Sequence, residues 1–413
     1  MRRISLALVL AMIGIALAAP AGAHGPVKRT SEIETGEQAR LFTADAATGD
    51  VIALDLPDAS RVTHLPTPPF VMSMAVSGDR AHLYAMRGRD TDRDWITVID
   101  TGIDRATGEV RPPFIARTLL GHAPTTGGVH DGKMPSIGGK DALYMDKSAE
   151  IVVFQNDDFN GYEGLDVRRY KLARPDHYHA LEAGDNIYIG HLRLGLVQIL
   201  NRESGKEVAR LRGCPALHGI AFDLVSARMF FGCAPNMLVV GTRGAEMNKE
   251  VGRIVYPENQ RVAAFLKGKN RIFWGYTEGT LPQLYRLDLA KEPYAFDTLP
   301  VPSSIQVNVS PDGALLLVLT RAGVLEIRDG GTGAVLREVH VAAPFAKDFH
   351  EHTDKAVLPA IEVLNGRAYV SLPLEGKIAE VDLESGKVLK NIETGGEPTR
   401  IVLVPWPPAK DHD

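Results

Sequence analysis

His179 in PDHYHAL and His218 in CPALHGI each stand immediately before a short apolar strand, and the two strands open the same kind of repeating unit. Two metal-capable side chains at equivalent points of neighbouring repeats are expected to lie close in space although the chain separates them widely. Other histidines occupy the same kind of connection: His130 in GGVHDGK, His177 two residues before His179, and His350 and His352 in FHEHTD. Imidazole nitrogens arriving from several such connections suit a tetrahedral Zn²⁺, which accepts His nitrogen and carboxylate oxygen and needs no redox chemistry. Asp131, Asp176, Glu351 and Asp354 stand beside these histidines and are expected as a fourth ligand or as acceptors that fix the imidazole tautomer. Zinc fits better than copper because neither a methionine cluster nor a reduced cysteine set accompanies the histidines, although affinity order alone favours Cu²⁺. His64, His82, His122 and His340 read as loop histidines bonded to backbone. His191 follows a second strand and fits either group.

The elements that must position these residues can be read by lining up the repeat openings. Segments beginning at 179 (HALEAGDNIYIGHL), 218 (HGIAFDLVSARMFFGCA), 262 (VAAFLKGKNRIFWGYT), 305 (IQVNVSPDGALLLVLT) and 359 (PAIEVLNGRAYVSLP) share one pattern. An apolar alternating run is followed by a polar turn and a second run rich in aromatic and β-branched residues, which predicts two antiparallel strands. Third strands are predicted at 196–200, 284–289, 324–328 and 378–383, and fourth strands at 335–341 and 388–392. Strand groups recur at about 40-residue intervals, the spacing of four-stranded propeller blades. Further openings at 70 and 135 extend the series toward the N-terminus. The segment 400–404 (RIVLV) reads as a first strand with no partners left after it, while 40–56 reads as second and third strands lacking a first. Joining the two ends completes a blade and leaves no open ring. The reading is an all-β protein, a β-propeller with eight blades closed by strands from both termini. Seven blades is the alternative count, because 101–140 is irregular.

The chain has 413 residues, 45% hydrophobic and 23% charged, with 40 glycines and 26 prolines, the composition of a turn-dense globular domain. A formal net charge of −5 gives no footprint for nucleic acid or an anionic membrane. Residues 1–23 combine a basic start, an apolar stretch and a small-residue Ala21-Gly22-Ala23 site, as expected of a cleaved secretory signal peptide. The expected layout is that signal, a flexible segment at 24–38, one propeller domain over 39–405 and a tail at 406–413, in a soluble monomer without membrane insertion. The two cysteines, Cys214 and Cys233, flank the first two strands of one blade. Antiparallel pairing brings the start of one strand beside the end of the other, so a disulfide is geometrically reasonable and expected after export. Thiolate ligation of a metal is the competing reading.

The combination of PDHYHAL, CPALHG, a second cysteine in FGC and FHEHTD resembles the periplasmic zinc metallochaperones of the AztD type, over about 40–404. The resemblance implies a propeller that binds Zn²⁺ through histidines on one face, His179 and His218 here. It also implies a periplasmic location, and a partner in the solute-binding protein of a zinc ABC importer. Two further classes stay open: a metal-dependent propeller enzyme of the hydrolase, lactonase or lyase kind, and a metal-free protein-interaction propeller. No GxSxG or HExxH pattern occurs, which weighs against an enzyme. The metal-free class requires His179 and His218 to point away from each other.

Overall fold

A computed structural model describes residues 38–67, 71–87, 95–120, 136–154, 167–257, 260–277, 283–345 and 357–407. Its strands form eight antiparallel sheets of four, one for each opening read from the sequence. Seven blades follow one another along the chain, with inner strands Val71–Val76, Ser136–Ile137, Tyr178–Ala183, His218–Asp223, Val262–Lys267, Ser304–Val309 and Ile361–Leu364 in blades 2 to 8. Blade 1 is composite. Ala39–Asp45, Val51–Leu56 and Ser60–Leu65 are completed by Pro398–Pro405 as the inner strand, with Arg40 opposite Val404 and Ala44 opposite Arg400. The eight-blade count and the terminal closure are therefore both borne out.

The reason these strands stack as blades lies in their two-residue period. In blade 4, Ile187 and Ile189 enter a core cluster shared with blade 3, while Tyr188 between them enters the cluster shared with blade 5. Alternate side chains of one strand thus seal opposite junctions, so the middle strands are apolar on both faces. Eight buried clusters result, one at each junction between neighbouring blades. The fourth strands lie at the rim, and Glu207–Arg212 of blade 4 is mostly exposed. Cys214 and Cys233 form a disulfide, with a Cα–Cα distance of 4.9 Å, which removes the thiolate-ligand reading. Among the described residues no helix is long and apolar enough to cross a membrane.

Candidate metal centre

The inner strand of blade 4 begins at Tyr178, and its first side chains are sorted by the strand period. Tyr178 turns into the junction with blade 3. His177 and His179, on either side of it, share the other direction. His218 is the first residue of the inner strand of blade 5. The three rings meet as a near-equilateral triangle, with centroid separations of 4.9 Å for His177 to His179, 5.0 Å for His177 to His218 and 4.8 Å for His179 to His218. One nitrogen from each ring lies within 4.8 Å of the others.

Two of the rings have their tautomer fixed from outside. His218 Nδ1 lies 2.6 Å from the backbone oxygen of Ala263 in blade 6. A carbonyl only accepts, so Nδ1 carries the proton and Nε2 keeps its lone pair. His177 Nδ1 lies 3.2 Å from Oδ2 of Asp146, a residue buried just beyond the second strand of blade 3, Lys140–Met145. Donation from Nδ1 to that carboxylate oxygen gives the same tautomer there. Carboxylate and carbonyl partners on the remote nitrogen are the usual supports of a metal-binding imidazole.

Close approach of blades 5 and 6 is what makes the His218 contact possible. A Cβ on Gly232, which pairs with His218 across the strands, would stand 2.2 Å from the carbonyl oxygen of Val262 and 2.3 Å from that of His218. A Cβ on Gly219, at φ +69°, would stand 2.9 Å from the Ala263 carbonyl oxygen. Only glycine fits either place.

The structure brings His179 and His218 together and adds His177 as the third ring, so the requirement of the metal-free class that the first two diverge is not met. It corrects one detail of strand position. His179 is the second residue of its strand and does not precede it. His177, also a candidate from the sequence, supplies the third ring. Asp176, expected beside these rings, is engaged by backbone. Its carboxylate accepts the backbone N–H groups of His177, Arg193 and Leu194, tying the connection before blade 4 to the turn between that blade's second and third strands. The carboxylate on the ring is Asp146, which the sequence reading missed. His130, Asp131, His350, Glu351, His352, Asp354, His122 and His24 lie outside the described residues.

The other described histidines are not part of the triangle. His191 is fully buried, with Nε2 3.1 Å from Oε1 of Gln198 and its ring edge-on to Tyr178 at 5.0 Å. Burial pulls its pKa below the ordinary histidine value, partly countered by the nearby Asp176 carboxylate. His82 is buried at the start of a second strand in blade 2, with its pKa likewise lowered by burial. His64 stands on a rim strand 3.5 Å from Asp50, and His340 ends an exposed rim strand.

No protein-family model and no curated protein matches the chain. Solved structures do. AztD from Citrobacter koseri aligns with a TM-score of 0.72 at 20% identity, over 90% of this chain and 100% of that one. The apo form of AztD from the same organism gives 0.69 at 21%, covering 90% and 98%. The dihydro-heme d1 dehydrogenase NirN in complex with DHE gives 0.62 at 12%, covering 88% and 74%. The chain is thus an eight-bladed β-propeller with the fold of AztD, and it gathers three imidazoles where the inner strands of blades 4 and 5 begin.

Proposed function

We propose that the protein is a periplasmic zinc carrier that holds one Zn²⁺ through His177, His179 and His218 and passes it to the solute-binding protein of a zinc ABC importer. The observation that carries this reading is the triangle of imidazoles in which two remote nitrogens are engaged by Asp146 and by the Ala263 carbonyl. The donor set fits the metal: three neutral nitrogens leave a fourth tetrahedral position for water or for an incoming ligand of the partner. A carrier needs that opening, because transfer proceeds by exchanging ligands one at a time. Imidazoles also lose metal to protons as pH falls. The sequence likeness to AztD-type metallochaperones and the signal-like segment at 1–23 support the delivery role and the location.

Replacing His177, His179 and His218 together by alanine is expected to abolish stoichiometric zinc, measured by elemental analysis, while the far-UV spectrum and apo melting hold. Retention of one zinc per chain by that variant would remove the site assignment. Failure of the loaded protein to pass zinc to a purified solute-binding protein, with turnover of lactone or ester substrates instead, would replace the carrier by a zinc enzyme.

A further inference from the structure

His177 and His179 sit two residues apart in one blade, so a single backbone frame sets their spacing. The third vertex depends on how the opening of blade 5 is held, and the Cys214–Cys233 disulfide lies at that opening. Cys214 is four positions before His218 in the chain, and Cys233 directly follows Gly232, the cross-strand partner of His218. The ladder at this end carries a register shift between His218 and Ile220, where Gly219 takes the left-handed conformation; the inner strands of blades 2, 6 and 7 shift at the equivalent point, and blade 5 adds the disulfide there.

The segment ahead of His218 is tied down at a few points. Cys214 N–H donates to the Gly195 carbonyl, and Ala234 N–H donates to that of Pro215. Leu217 is buried against the bare backbone of Gly190. Of these ties the disulfide is the covalent one, and both cysteines are fully buried among the residues that join blades 4 and 5. A metal site tolerates displacements of only about 0.5 Å in a ligand before geometry is lost.

We infer that the Cys214–Cys233 disulfide is the positioning element of the zinc site and that its reduction releases the metal by freeing His218 from register. This rests on the zinc reading above. The reaction is a two-electron reduction: a dithiol donor gives two electrons and two protons, the S–S bond breaks, both cysteines become thiols and the donor becomes a disulfide. In the laboratory a water-soluble phosphine serves, taking oxygen from water to become the phosphine oxide without a thiol that would compete for zinc.

The test titrates Zn²⁺ against three samples of the full mature chain: oxidised wild type, phosphine-reduced wild type after removal of reductant, and C214A/C233A. Reduction is followed to two thiols per chain. Leu317→Ala, in the core shared by blades 7 and 8, controls for general loss of stability. Co²⁺ visible absorption reports ligand geometry independently of melting. Binding at least ten-fold weaker in the reduced and C214A/C233A forms, with an altered Co²⁺ band and an unaffected Leu317→Ala, is expected. Equal affinity in all forms overturns the inference, and so does tighter binding by the reduced form, which would mean that the thiols join the ligand set. Absence of zinc binding by the oxidised wild type overturns the zinc reading itself, and this inference with it.

Discussion

Asp146 shows what a single residue contributes from behind the imidazole triangle. Its carboxylate faces Nδ1 of His177 from the neighbouring blade at 3.2 Å, and loss of such a partner typically costs 10–100-fold in metal affinity. Asp146→Asn is therefore expected to weaken zinc binding by about ten-fold, since an amide oxygen still accepts from Nδ1 but carries no charge to favour a bound cation. Competition with a zinc-sensitive chelating dye measures it, and affinity equal to wild type would show that His177 needs no carboxylate. Asp146 was not legible in the sequence. It stands in an ordinary hairpin turn, MDKSAE, among 51 acidic residues, and only the packing of blade 3 on blade 4 brings it to the ring. His179 and His218 were legible because equivalence between repeats carries spatial information. His177 was legible only as a neighbour, since its own spacing from His179 becomes meaningful once Tyr178 is known to turn into the blade junction.

Between blades the same logic of alternate faces builds junctions, and one of them carries a charge. Asp141 is the second residue of the second strand of blade 3, and its two oxygens accept from Gly78 N–H at 3.0 Å and Tyr84 O–H at 3.1 Å, both in blade 2. Burial pushes its pKa up to about 6 from 3.8; those two hydrogen bonds oppose the shift and the Asp79 charge adds to it. The folded state thus keeps a proton that the unfolded chain releases near pH 4. Stability from this group is present at pH 4 and is lost as pH rises toward about 6, by about 3 kcal/mol at about 1.4 kcal/mol per pH unit. Asp141→Asn removes the penalty, with Oδ1 accepting from Gly78 and Nδ2 donating to the Tyr84 oxygen. The variant is expected to exceed wild type by about 2 kcal/mol in urea unfolding at pH 7.5 and to match it at pH 4. Parallel stabilities at the two pH values would refute the assignment. Strand positions were legible at this scale because turn residues and alternating runs are local signals. The short first strand of blade 3, Ser136–Ile137, was the weakest of them, having little local pattern of its own.

Across the whole molecule, the histidine triangle and the ring closure occupy different parts of the circle, yet both depend on the same geometry. His177, His179 and His218, with Asp146 and the Ala263 carbonyl, draw on blades 3 to 6, so the site exists only while successive blades keep their angular spacing. Closure at blade 1 is expected to hold that spacing. Pro398–Pro405 covers Ala39–Asp45, whose seven residues are all buried, and places Ile401 in the core shared with blade 8 and Val404 in the core shared with blade 2. Closure of the termini was legible because each end of the sequence carried an incomplete blade, and the two fragments were complementary. A chain ending at Glu397 would lose those two core contacts and expose the inner edge of Ala39–Asp45, an apolar strand with unpaired N–H and C=O groups. Such a chain is expected to associate through that edge, eluting as multimers, to melt without a single cooperative transition, and to lose zinc binding because blades 3 to 5 are no longer held in register. Addition of a synthetic 398–407 peptide is expected to restore the monomer, since strand addition to an open sheet edge recovers the main-chain bonds. A truncated chain that stays monomeric, melts as wild type and binds zinc would show that the blades hold their spacing without the terminal clasp.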